Sequence, residues 1–214
     1  MTRGFAPDLY LVTDRAMCAA RGIERTVAEA VAGGVTMVQL RDDKTPTPEL
    51  IELAQRLKGI LAPAGVPLVV NNRLDVALGA DADGLHVGQA DTPPAEARAR
   101  LGPDPILGLS VTDPAQLAAV DSALVHYLGV GPIFATSTKP DAAPAMGLSG
   151  LAATRAGTAL PIIAIGGIDA TNAAAVIRAG ADGIAAVSAI CAAGDPSSAA
   201  VALARTIRDA KIER

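Results

Sequence analysis

Residues 177–189 read IRAGADGIAAVSA, and two other stretches share their design: ALGADADGLHVG at 77–88 and AVAGGVTMVQL at 30–40. Each closes a helical stretch in Ala and Gly, turns, and enters a short apolar run. A run that is apolar throughout suits a strand covered on both faces of a parallel sheet. Working outward from these three, comparable runs fall at 9–13 (LYLVT), 35–40 (VTMVQL), 67–71 (PLVVN), 84–88 (GLHVG), 106–110 (ILGLS), 126–133 (HYLGVGPI), 161–166 (PIIAIG) and 183–189 (GIAAVSA). Ala-rich stretches with helical spacing lie between them, such as ERTVAEAVAGG, PELIELAQRLKGILA and TNAAAVIRAGA. Gly33, Gly79 and Gly180 sit where left-handed caps would end helices. Eight strand–helix beats in 214 residues give about 27 residues per unit, enough for a closed (β/α)8 TIM barrel. An open doubly wound sheet is the alternative. The barrel is favoured because no beat is missing and no Gly-x-Gly-x-x-Gly follows the first strand. No linker divides the chain, so residues 1–214 are expected to form a single domain.

Composition bounds the function. Half the residues are apolar and 19% are charged, which describes a compact globular protein. Trp is absent, Tyr and Phe number two each, and the net charge is -4, which argues against a nucleic-acid partner. A phosphate ligand needs only local donors and stays open. Cys18 and Cys191 form neither a disulfide framework nor a zinc pattern, and a cytoplasmic location is expected. No apolar run reaches membrane-spanning length, and the first residues lack a signal-peptide core. A homo-oligomer, by default an isologous dimer, is the prior for assembly.

In such a barrel, ligands bind where strands end. Nearly every exit is polar: Thr13 and Asp14, Gln39 and Arg41, Asn71 and Asn72, Gln89 and Asp91, Ser110, Thr136, Thr138 and Lys139, Gly166 and Gly167, and Ser188. Singly, each of these residue types also serves as a cap or turn. Two stretches are sharper. In AIGGIDATNAAAVI a buried strand runs into Gly166–Gly167, whose backbone N–H groups can close on a phosphate, with Val187 and Ser188 at the next exit. In GVGPIFATSTKPDAAPAMG, Gly129 and Gly131 are expected to flatten the strand. Thr136, Thr138 and Lys139 then offer two hydroxyls and an ammonium to an anion.

The ordered pieces LYLVTD, VQLRDD, VVNNRLDVALGADADGLHVGQAD, ILGLSVTD, YLGVGPIFATSTKPDAAPAMGL, AIGGI and AAVSAI resemble thiamine-phosphate synthase over roughly residues 9 to 200. The resemblance implies a barrel enzyme that couples hydroxymethylpyrimidine diphosphate to hydroxyethylthiazole phosphate. It implies Mg²⁺ on the diphosphate and a dissociative route in which diphosphate leaves before the thiazole nitrogen attacks. Carried over by position, Gln39, Arg41, Asn71, Ser110 and Lys139 fall on the pyrimidine-diphosphate side. Thr136, Thr138, Gly167, Val187 and Ser188 match the thiazole-phosphate pocket, and Asp91 matches a Mg²⁺ carboxylate. Lys139, Ser110 and Arg41 are the expected catalytic residues.

Two positions depart from the family pattern. Asn72 stands where a second metal-binding Asp is usual, and its amide oxygen brings no charge. Asp43 stands where a Lys is usual, with Lys44 one residue on. Weaker metal binding is therefore expected, with Asp91 and substrate oxygens carrying the ion. Two other readings share the barrel. A thiazole tautomerase would need a general base, for which only His86 and His126 are available. A non-catalytic phosphate binder would need no turnover at all.

Overall fold

A computed structural model describes residues 8–136, 138 and 143–214. Its elements alternate as the runs predict: β1 (Leu9–Val12), α1 (Arg15–Cys18), α2 (Ile23–Ala32), β2 (Met37–Leu40), α3 (Thr47–Leu61), β3 (Leu68–Asn71), α4 (Leu74–Gly79), β4 (Gly84–Val87), α5 (Pro94–Leu101) and β5 (Ile106–Val111). A 3-10 turn at Pro114–Ala119 replaces the next helix. There follow β6 (Tyr127–Val130), α6 (Gly147–Ala156), β7 (Ile162–Ile165), α7 (Ala173–Arg178), β8 (Gly183–Ala186), α8 (Ser188–Cys191) and α9 (Pro196–Ile212). The eight strands pair in parallel and in sequence order, and β8 returns to β1 to close the barrel. The open-sheet alternative is thereby set aside.

Alternation along each strand divides the core in two. Leu11, Val38, Val70, Leu85, Leu107, Leu128, Ile162 and Ile184 point outward, into one continuous aliphatic layer under the helices. Tyr10, Val12, Met37, Val69, Ile106, Tyr127, Ile163 and Ala185 form a separate cluster inside the barrel. Both faces of every strand are therefore buried, which is why the runs carry no polar alternation. The long helices contribute matching stripes, as α3 does with Leu50, Leu53, Ala54, Leu57 and Leu61. Truncating such a side chain, for instance Leu57→Ala, costs about 2–5 kcal/mol.

The internal echo has a mechanical cause. The residue just before each even-numbered strand accepts a hydrogen bond from a backbone N–H at the start of the preceding odd strand. Thr36 Oγ1 takes Leu9 N–H at 3.1 Å, and Asp83 Oδ2 takes Leu68 N–H at 2.8 Å. His126 Nδ1 takes Leu107 N–H at 3.0 Å, and Asp182 Oδ2 takes Ile162 N–H at 2.9 Å. A strand's first N–H lies beyond reach of the ladder, so leaving it buried and unpaired would cost about 1–3 kcal/mol. The clamp around His126 is the fourth member of the series, unnoticed in sequence because its acceptor is an imidazole.

Several local expectations need correction. Gly33 caps α2 in right-handed geometry with φ -84°, and Gly79 is still helical; the left-handed positions are Gly34 at φ 103° and Asp81 at φ 50°. Only Gly180, at φ 118°, is left-handed as expected. The sixth strand stops at Val130 rather than 133, since Pro132 has no N–H to give a ladder. The eighth stops at Ala186, and Ser188 begins a short helix instead.

Candidate active site

The described candidate residues lie at or just after the C-terminal ends of parallel strands, apart from Gln39 within β2, so they gather toward one end of the barrel. The two sharp sequence signals meet there. Ile133 N–H donates to Ile165 C=O at 2.9 Å and Phe134 N–H to Gly166 C=O at 3.0 Å, which lays the loop after β6 along the loop after β7. Gly166 and Gly167 take φ 101° and 63°, and a Cβ on Gly167 would come 2.7 Å from Ala135 C=O. Only glycine allows that turn and that approach. Among the described residues, no acceptor meets the Gly167 N–H or the Ser188 N–H. Asn172 Nδ2 ties down Gly167 C=O at 2.9 Å, while Val187 C=O accepts Cys191 N–H at 2.8 Å in α8. Thr138 N–H donates to Thr136 Oγ1 at 3.2 Å, which holds the two threonines in one turn. Lys139 lies outside the described residues.

The other half of the mouth is more crowded. Arg41 Nη2 pairs with Asp14 Oδ2 at 3.0 Å, and the two side chains are each about one-fifth exposed. Arg41 N–H donates to Thr13 Oγ1 at 3.1 Å, so three of the flagged exit residues hold one another. Gln39 is not a free exit residue. It lies inside the barrel, 5% exposed, with its Nε2 donating to Tyr10 Oη at 2.8 Å. Ser110 Oγ meets His86 Nε2 at 2.9 Å, and Ser110 C=O accepts from Gln89 Nε2 at 2.7 Å.

Asn71 ends β3 opposite His86, and Asn72 turns the chain with φ 45°. Short Asx side chains tolerate this left-handed geometry, which accounts structurally for the second amide. Asn72 Nδ2 donates to Asp43 Oδ1 at 3.2 Å, while Asn72 Oδ1 is buried without a hydrogen-bond donor. Asp91 Oδ2 accepts Gly88 N–H at 2.7 Å. Among the described residues, no three His, Cys, Asp or Glu side chains cluster as a metal cage. The oxygens present nonetheless suit a hard cation that completes its shell with substrate and water: an orphaned amide oxygen after β3, and carboxylates after β2 and β4.

His86 and His126 differ in place and role. His86 has both ring nitrogens engaged, at Tyr127 Oη and Ser110 Oγ, and burial pushes its imidazole down to about 4. His126 clamps Leu107 at the opposite end of the barrel, and burial followed by the Arg98 charge lowers it. Neither is placed as a general base at the mouth. Tyr10 and Tyr127 escaped the sequence reading as site residues; two tyrosines in otherwise aliphatic inward positions were the available signal.

The family described as thiamine monophosphate synthase matches residues 9–190. A thiamine-phosphate synthase of Xanthobacter autotrophicus is 55% identical over 211 residues, covering 99% of this chain and 100% of that protein. One from Azorhizobium caulinodans is 51% identical with the same coverage. The solved structure of a thiamine phosphate pyrophosphorylase from Pyrococcus furiosus superposes with TM-score 0.86 at 33% identity, covering 95% of this chain and 96% of that one.

Proposed function

This chain belongs to the thiamine monophosphate synthase family, and its activity is thiamine-phosphate synthesis, a transferase reaction; we propose that it joins hydroxymethylpyrimidine diphosphate to hydroxyethylthiazole phosphate with release of diphosphate. The observation that carries the substrate assignment is the loop after β6, which leads into Thr136 and Thr138, lying along Gly166–Gly167 through Ile133, Phe134 and Ala135. The Gly167 and Ser188 N–H groups, which meet no acceptor among the described residues, and the threonine hydroxyls suit the thiazole's phosphate. On the other side, Arg41, Asn71, Ser110 and Lys139 receive the pyrimidine diphosphate.

In the reaction, the bond from the pyrimidine methylene to the diphosphate oxygen breaks first, and its electron pair leaves with diphosphate. Arg41 and Lys139 stabilise that growing negative charge. The thiazole nitrogen then gives its own lone pair to the pyrimidine-methyl cation. No proton must be removed, which agrees with neither histidine being placed as a base at the mouth. Arg41 would exchange its partner Asp14 for the diphosphate, so the free protein keeps the guanidinium in place without a substrate. Holding both molecules side by side supplies much of the remaining advantage.

Asp91 and Asn72, with Asp43 beside the latter, would hold Mg²⁺, which when bound neutralises diphosphate oxygens. Catalysis is proposed for the cytoplasm, in keeping with two buried free cysteines; among the described residues no helix is long and apolar enough to cross a membrane. The test is an assay of the purified protein with both substrates and Mg²⁺. Diphosphate release must depend on all three; release that ignores the thiazole phosphate, or no release at all, rejects the proposal.

A further inference from the structure

Five side chains from five strands form one hydrogen-bonded line through the barrel. Gln39 Nε2 donates to Tyr10 Oη at 2.8 Å, and Tyr10 Oη lies 3.1 Å from Tyr127 Oη. Tyr127 Oη lies 2.9 Å from His86 Nδ1, and His86 Nε2 lies 2.9 Å from Ser110 Oγ. Tyr10, Tyr127, Gln39 and His86 are 2%, 0%, 5% and 8% exposed. Water therefore has little part in deciding which atom donates.

The protons have a direction. The Tyr10 oxygen receives the Gln39 amide, so its own proton goes to the other oxygen it meets, that of Tyr127. Followed along the line, the Tyr127 proton would go to His86 Nδ1. A neutral imidazole that accepts at Nδ1 carries its hydrogen on Nε2. That hydrogen occupies a lone pair of Ser110 Oγ, leaving the serine's proton unused by the line. The backbone is shaped for this arrangement. A Cβ at Gly108 would come 2.2 Å from Tyr127 Cζ and 2.5 Å from His86 Nδ1, and one at Gly129 would come 2.8 Å from His86 Cε1. The expectation that Gly129 flattens its strand thus gives way to a more specific one: it makes room for a ring.

We propose that His86 is a positioning residue for Ser110, its Nε2–H holding the serine oxygen so that the serine proton is presented to an oxygen of the departing diphosphate. This rests on the synthase reading for the identity of the acceptor, but not for the direction of the line. A donor aimed in advance at developing negative charge lowers the barrier because nothing must reorient as the bond breaks. Gln39 and Ser110 would then be the two ends of one oriented line, and Tyr127 the member through which the orientation passes.

The first measurement is the ¹⁵N spectrum of the His86 imidazole in the free wild-type protein. The Nε2–H tautomer is expected, and the Nδ1–H tautomer overturns the proposal without any variant being made. The second is kinetics of Tyr127→Phe with both substrates and Mg²⁺. Its kcat should fall roughly tenfold, as part of one donor's effect on the leaving charge is lost, with the KM for thiazole phosphate unchanged. His86→Gln, which keeps an amide donor for Ser110, should recover activity that His86→Leu does not. An unchanged kcat in Tyr127→Phe, or equal losses in the two His86 variants, overturns it. Wild-type protein that makes no thiamine phosphate would instead sink the synthase reading, leaving the tautomer result to stand by itself.

Discussion

At the entry end of the barrel, Thr36, Asp83, His126 and Asp182 each accept a strand N–H, and Arg155 adds an ion pair to Asp182 at 2.9 Å. At the exit end, Asn72 Oδ1 has no donor, and the N–H groups of Gly167 and Ser188 meet no acceptor among the described residues. Yet a cavity of about 830 Å³, lined by Thr36, Asp83, Ile106 and His126 among others, lies at the entry end. An open cavity therefore does not by itself mark the proposed site. Uncommitted hydrogen-bonding capacity does, because a ligand can satisfy only groups that the protein has left waiting.

The contrast breaks most visibly if Lys139→Ala leaves turnover intact. That substitution is expected to lower kcat by about 10²–10³-fold while the thermal midpoint stays put, since the proposed role of Lys139 is to stabilise the leaving group's charge. Steady-state kinetics beside a thermal melt reads both. A fall in melting temperature large enough to explain the lost rate would move Lys139 into the structural class.

The two histidines sharpen the comparison through pH. His86 is held at about 4 by burial, against 6.5 in an unfolded chain. Between these values the unfolded state binds a proton that the folded state refuses, so stability is full above 6.5 and declines as pH falls toward 4. At ~1.4 kcal/mol per unit this removes about 3 kcal/mol. His126 shifts in the same direction and adds to the slope. Urea melts from pH 7.5 to 4.5 should show the loss, and His86→Gln should flatten the curve more than His126→Gln. The opposite ranking would assign the larger desolvation to the wrong end.

A smaller effect is expected from Asp182→Ala. It leaves Ile162 N–H without its acceptor and should cost about 1–3 kcal/mol in denaturant melts, with kcat per folded molecule unchanged. A changed kcat would mean the entry end reaches the chemistry. The smallest concerns Asn72→Asp, which sets a carboxylate beside Asp43. Without metal, the pair should lower stability by about 0.5 kcal/mol. Added Mg²⁺ should restore it, with several-fold tighter binding than wild type by calorimetry. No change in Mg²⁺ affinity would remove Asn72 from the cation's surroundings.

Much of this was legible in the chain. Eight doubly covered strands announce themselves through uninterrupted runs such as LVVN and IIAI, and their count favours a barrel that the pairing of β8 with β1 closes. The exits were legible because a polar residue directly after such a run has few reasons to be there. What could not be read was commitment. Gln39 and Arg41 look equally available in sequence, but one is tied to Tyr10 inside the barrel and the other to Asp14 at the rim. Whether an amide is free depends on a partner 29 residues away, which no local pattern encodes. Tyr10 and Tyr127 stayed hidden for the same reason, since their hydroxyls matter only after closure sets them 3.1 Å apart. The contacts between helix end and strand start were half visible: Asp-Gly recurs before two even strands and Thr-Met stands before a third, but His126 conceals the fourth.

Those four clamps also divide the barrel into pairs, β1 with β2 through β7 with β8, spanning 27, 15, 19 and 20 residues of chain. Seams thus fall between each even strand and the odd strand after it. A circularly permuted chain opened at the exposed turn of Gly65, on such a seam, keeps every one of these contacts short in sequence. Opened instead at Asp81, it turns the bond between Leu68 and Asp83 into one joining opposite ends of the polypeptide, and assembly should slow accordingly.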